Sequence, residues 1–195
     1  MSDADSIETL ERAFASTRVE VDATAPDQLT LPTPCSEWDV RALVNHIIGG
    51  ASWYADAVLD GVTQPIDEPD DDYVGAGDYC AAYTDEIRRA LDAYRAPGAL
   101  ETTIAYVGRS LPGATVMRLC ALDTFVHGWD LARALGRSTD LDPELADLLR
   151  GRMAHRVPEA FRGTGPDALY RPAADVPTDA TAADRLAAAL GRDVT

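Results

Sequence analysis

An all-α fold, an up-down four-helix bundle with a short strand or hairpin and extra C-terminal helices, is what the sequence predicts. Three observations point to it. Four long segments place apolar residues at the three- and four-residue spacing of helices with one buried side. Caps, prolines and glycines fall at the ends of those segments. Only Leu100–Val107 (LETTIAYV), partly alternating and rich in β-branched residues, reads as a strand.

The first helix runs from Ser6 to about Val21, with Ile7, Leu10, Phe14 and Val19 setting its period and Ser6 as N-cap. The prolines of DATAPDQLTLPTP forbid its continuation. Ser36, with Asp39 three residues on, resembles a capping box that opens a second helix from Glu37 to about Leu59, and Asp60-Gly61 ends it. Its stripe is Val40, Leu43, Val44, Ile47, Ala51, Tyr54 and Val58. His46 lies beside the stripe, with the small Gly50 and then Trp53 further along the same line. The acidic residues at 67–72 read as a solvated loop, without the spacing of an EF-hand. A third helix covers Asp78 to Tyr94, with Cys80, Tyr83, Ile87, Ala90 and Leu91 as core candidates, and Arg95-Ala96-Pro97-Gly98 stops it. Leu111-Pro112-Gly113 opens the fourth, which ends at Gly136. Asp142 and Pro143 start a fifth, ended by Pro158, and Thr181 to Leu190 forms a last one closed by Gly191. Residues 1–157 form the bundle on this reading, and 158–195 a short extension packed on it.

A net charge of −16 argues against nucleic acid and anionic membrane as partners. No apolar run approaches membrane-spanning length, and the acidic N-terminus is not a signal peptide, so the expected compartment is the cytosol. Cys35, Cys80 and Cys120 have no C-x-x-C spacing and read as free thiols in a reducing compartment. The chain has no Lys, which removes the phosphate-loop, Schiff-base and pyridoxal-phosphate chemistries.

One stretch breaks the ordinary pattern. In Leu119–Leu135 (LCALDTFVHGWDLARAL), Asp123, His127 and Asp130 share a narrow sector with Val116, Leu119, Val126 and Ala134. Charges among core residues are expensive unless something satisfies them. Asp123 and His127, four residues apart, project side by side. If the second and fourth helices are neighbours, His46 completes a two-histidine, one-carboxylate set with open positions for water or substrate. A metal-free alternative stands beside it: His127 bonded to Asp123 or Asp130, and His46 a satisfied core histidine. Trp129 and Phe125 point elsewhere and read as packing. His155, near Arg152 and Arg156, reads as exposed.

Thr33-Pro34-Cys35-Ser36-Glu37-Trp38-Asp39-Val40, followed by Leu43-Val44-Asn45-His46, resembles the opening of the mycothiol-dependent maleylpyruvate isomerase N-terminal domain family. His127-Gly128-Trp129-Asp130-Leu131-Ala132-Arg133-Ala134 resembles its second signature. Asp184-Arg185-Leu186 and Leu190-Gly191-Arg192-Asp193 resemble the ending of its single-domain, metal-binding branch. The resemblance implies a DinB-like bundle that binds a divalent metal, zinc or nickel, through His46, Asp123 and His127. The isomerase has Glu at the middle position, so Asp123 reaches one methylene less far. The isomerase also has a C-terminal domain that the tail after Pro158 is too short to match. The implied activity is a mycothiol-dependent S-transferase or isomerase reaction of a small-molecule thiol with an electrophilic substrate. Asp130 would orient a ligand or accept a proton, and Trp53, Tyr54 and Cys35 would wall the pocket. A homodimer is compatible with this reading. With no Lys and few Arg near these residues, the recognition of an acidic substrate stays unassigned. A non-catalytic metal- or ligand-binding bundle, acting as sensor or partner protein, is the alternative.

Overall fold

The structure, a computed structural model, describes residues 3–61, 72–106, 109–153, 162–163 and 170–195. Four long helices carry it: α1 (Asp3–Ala23), α2 (Val40–Asp60), α4 (Tyr79–Arg95) and α5 (Gly113–Ala134). Between α2 and α4 sits a single turn, α3 (Tyr73–Ala76). A hairpin of β1 (Thr103–Tyr106) and β2 (Arg109–Pro112) precedes α5, and α6 (Pro143–Met153) and α7 (Ala182–Ala189) follow it. Most of the 67–72 loop, His155 and the helix end expected at Pro158 lie outside the described residues. No helix among the described residues is long and apolar enough to cross a membrane.

The helix ends follow local chemistry. Asp78 and Thr181 cap α4 and α7 through their side chains, and the Thr181 cap is a full capping box with Asp184. Gly61 closes α2 in the left-handed region at φ 63°, the conformation that a residue without Cβ adopts at least cost. Two caps differ from expectation. α1 already covers Asp3, so Ser6 lies inside the helix rather than capping it. α2 begins three residues later than predicted, because Asp39 accepts from the Ala42 N–H and is itself the cap. The chain before it is held extended, by a Pro32–Asp39 bridge and by Val40 N–H donating to the Leu31 carbonyl at 3.0 Å. Ser36 instead accepts from Arg171 at 3.1 Å.

α1 packs on α5 and α4, and α2 on α4 and α5, so the two pairs of neighbours close a four-membered ring. Side-chain pairs give the directions. Tyr79 bonds the Thr24 carbonyl and Arg95 pairs with Glu11, so α1 and α4 are antiparallel. Asn45 joins Asp72 and Val74 just before α4, while Arg89 reaches Ser52, so α2 and α4 run the same way. The order is up, down, down, up. Asp72, just before α3, accordingly lies beside Asn45, near the end where α2 began. Leu10, Phe14, Leu43, Ile48, Tyr83, Met117, Leu122, Phe125 and Trp129 fill the centre, essentially without exposure. Each aliphatic or Phe side chain buried in this way stabilises the fold by roughly 1.5–3 kcal/mol.

α5 is the axis of this arrangement. From Cys120 to Ala132 every residue is buried except Asp123. Gly128 explains how α1 comes so close, because a Cβ there would stand 2.4 Å from the Thr17 hydroxyl. That hydroxyl donates to the Thr124 carbonyl at 2.8 Å. On another side of α5, Trp129 donates its indole N–H to Asp184 at 2.8 Å and ties α7 to the bundle.

Candidate metal centre

α2 and α5 are neighbours, so His46 faces Asp123 and His127. One ligand atom from each of the three lies within 4.8 Å of the others. The imidazoles of His46 and His127 meet edge to face, with ring centroids 4.7 Å apart. Trp38 packs on both rings, at 4.3 Å from His46 and 5.8 Å from His127. The turn that presents Trp38 is built on Thr33. Its hydroxyl lies 2.8 Å from the Trp38 carbonyl and 3.0 Å from that of Cys35, and it accepts from the Cys35 N–H. Gly50, one turn beyond His46, has open space where a Cβ would stand.

Charge is distributed unevenly across the three residues. Burial holds His46 down at about 4, and the neighbouring His127 adds to the shift, so at neutral pH His46 is an uncharged imidazole with a free lone pair. His127 moves the other way. Burial alone would lower it, but Asp123 and Asp130 outweigh burial and raise it well above the ordinary histidine value. Its Nε2 stands 3.5 Å from Asp123 Oδ1 and its Nδ1 3.1 Å from Asp130 Oδ2. The Nε2 proton thus points at Asp123, into the space that a metal cation could take. A half-buried neutral histidine, a second histidine and a carboxylate make a donor set that suits zinc or nickel.

The two aspartates differ in access. Asp123 keeps about a third of its side chain exposed (34%) and so forms the open side of the centre. Asp130 is fully buried and saturated. It accepts from His127, from Arg192 Nη2 at 3.0 Å and Nε at 3.3 Å, and from the Cys35 thiol at 3.4 Å. Burial would raise its carboxyl, but Arg192 and His127 win and hold it down at about 2. Cys35, His127 and Asp130 form a second compact set that shares His127 with the first.

Trp53 and Tyr54 lie two turns along α2, in an aromatic cluster with Tyr106 of β1. Trp53 stands 5.1 Å from Tyr54 and 5.8 Å from Tyr106 between ring centroids. The Tyr54 and Tyr106 hydroxyls are 3.4 Å apart. Burial, reinforced by Asp123, pushes Tyr106 up to about 12, and burial, reinforced by Tyr106 and Asp123, raises Tyr54 well above the ordinary tyrosine value. Tyr54 is almost wholly enclosed, whereas Trp53 is only partly buried.

Sequence reasoning missed three participants. Trp38 lies within the quoted motif but outside the helix that carries His46, so no periodicity marks it. Tyr106 sits on the hairpin. Arg192 supplies the arginine not placed near these residues, from 62 positions beyond Asp130 along the chain.

The fold and site together define a class: helical bundles with a two-histidine, one-carboxylate set on facing helices. Residues 10–132 match the family model described as the mycothiol maleylpyruvate isomerase N-terminal domain, and the chain belongs to that family. It is 39% identical over 185 residues to the uncharacterised protein Rv0738 of Mycobacterium tuberculosis strain H37Rv, covering 93% of both chains. The same figures hold for MT0763 of strain CDC 1551 / Oshkosh. The crystal structure of the mycothiol-dependent maleylpyruvate isomerase shares the fold, with a TM-score of 0.63 at 13% identity over 79% of this chain and 70% of that one. A histidine-to-alanine mutant of that enzyme superposes at a TM-score of 0.62 and 12% identity, with the same coverage.

Proposed function

We propose that this protein binds one divalent metal ion, zinc or nickel, and acts in the cytosol as a mycothiol-dependent S-transferase or isomerase on a small electrophilic substrate. The observation that carries the proposal is the convergence of His46, Asp123 and His127 ligand atoms within 4.8 Å on facing helices, with about a third of the Asp123 side chain exposed. Membership of a family named for a mycothiol-dependent isomerase supports the thiol as co-substrate.

On this reading His46 offers its lone pair without first losing a proton, whereas His127 must release its own. Asp123 completes the set and borders the entry side. Asp130 has no free acceptor surface, so it orients His127 rather than meeting substrate. Trp38 keeps water from the two imidazoles, and Trp53, Tyr54 and Tyr106 form the nearby aromatic wall. When bound, the metal lowers the pKa of a coordinated thiol and presents it as thiolate. Residues 1–157 form the bundle, and 158–195 complete it from outside.

Elemental analysis of protein stripped and then reloaded with zinc or nickel tests the centre. About one metal per chain is expected, falling below about a tenth in His127→Ala and His46→Ala. A wild-type protein that holds almost none sinks the proposal. The reaction is tested by conjugation or isomerisation of a panel of electrophiles with mycothiol, maleylpyruvate among them. Turnover that requires both thiol and metal is expected. Absence of such turnover on every electrophile would leave a binding protein.

A further inference from the structure

Arg192 lies beyond the last helix, in the chain between Leu190 and the C-terminus. Its guanidinium is nonetheless brought inside, with 16% of the side chain exposed. It addresses Asp130 with two nitrogens, Nε to Oδ1 and Nη2 to Oδ2. Arg162 donates to the Ala189 carbonyl at 2.9 Å, and Gly191 packs so closely on Arg171 that a Cβ there would stand 2.5 Å from it. The backbone around Arg192 is therefore held where the fork can reach.

The consequence falls on His127. An arginine is always a donor and never an acceptor, so with Arg192 on both oxygens Asp130 is kept as a carboxylate that can only accept. The His127 Nδ1 at 3.1 Å must then carry the hydrogen, which leaves Nε2 as the atom turned toward Asp123 and His46. A histidine fixed in this way through its second nitrogen is the usual support of a metal ligand. Here the support comes from the C-terminal tail, outside residues 10–132, the segment that matches the family model.

We infer that Arg192 is a positioning residue of the metal centre: by clamping Asp130 it fixes the His127 ring with Nδ1 on Asp130 and Nε2 toward Asp123 and His46, so that the C-terminal tail completes a site whose ligands all come from α2 and α5. This rests on the metal-binding reading for its role, but the clamp itself is testable without metal.

Two readouts on the full-length protein decide it. In the metal-free protein, the His127 Nδ1–H should give a downfield, slowly exchanging proton resonance that is lost in Arg192→Ala. In cobalt titrations followed by visible absorption, Arg192→Ala should bind about 10- to 100-fold more weakly than wild type, with an altered spectrum. Arg192→Lys should recover only part of the affinity, since an ammonium is a point charge without the planar fork. Arg133→Ala is the control for a loosened tail, because Arg133 holds the Thr195 carbonyl at 2.6 Å without touching Asp130. It should stay within about twofold of wild type. The inference is overturned if Arg192→Ala keeps both the resonance and the cobalt affinity, or if Arg133→Ala loses as much as Arg192→Ala. If the resonance disappears in Arg192→Ala while even the wild type takes no cobalt, the clamp stands and the metal reading falls.

Discussion

α5 runs through two regions that treat buried polar groups in opposite ways. Around Asp130 the carboxylate, imidazole, guanidinium and thiol all find partners within 3.4 Å. Nearer its start, around Cys120, the hydroxyl of Tyr94 is buried with no hydrogen-bond partner among the described residues. The second region tolerates phenols chiefly for their bulk, as ring packing between α4 and α1 such as the edge contact of Tyr83 with Phe14. In the first region, volume alone would have been served by apolar residues. Complete pairing of groups that are costly to bury marks where the bundle is specialised; incomplete pairing marks ordinary core.

The contrast can be broken at three points. The largest effect is expected from Asp130→Ala, which strands a buried guanidinium and removes the partner of His127. A loss of about 3–5 kcal/mol in urea unfolding of the metal-free protein is the prediction. A loss below about 1 kcal/mol would mean that the polar end is no more demanding than the tyrosine region.

Next comes Trp129→Phe, which removes the bond to Asp184 and should cost about 2 kcal/mol. This bond carries a pH signature. Burial would raise Asp184, but Trp129, Thr139 and Thr181 donate to it and bring its folded value below the ordinary 3.8. Its contribution is therefore present above that ordinary value and lost as pH falls through the lower folded one. The gap in urea midpoint between wild type and Trp129→Phe should be widest near neutral pH and should narrow as pH falls below the ordinary carboxylate value. A gap that stays constant with pH assigns the loss to packing.

The smallest effect is expected at the other end. Tyr94→Phe deletes an unpaired hydroxyl and should leave stability unchanged or raise it by up to about 1 kcal/mol. A clear destabilisation would mean that the hydroxyl has a bound water as partner, and the two regions would then differ less than their hydrogen bonds indicate.

Much of this was legible in the sequence where the physics is local. Asp78, Thr181, Asp142 with Pro143, and the glycines at 61, 136 and 191 mark their helix ends because capping needs only a few consecutive residues. The start of α2 slipped because Ser36 and Asp39 are both good caps, and the Leu31 and Pro32 backbone contacts decide between them. His46 and His127 could be placed toward a shared core from their helical phase. Periodicity carries no direction, so it could not show that α2 and α4 run in parallel. Nor does any local pattern tie Arg192 to Asp130, because that contact depends on how the tail folds back.

The pairing at Asp130 also sets the electrical character of the centre. Without metal, two carboxylates face one guanidinium and one imidazolium, and the formal charges cancel. On the proposed reading a divalent ion replaces the imidazolium proton, and one positive charge is left over. That charge would sit on the partly exposed side by Asp123, in a molecule whose net charge is −16. The loaded centre becomes a small cationic spot on an acidic surface, so anionic ligands are drawn to it and repelled elsewhere. A thiolate arriving there would restore neutrality.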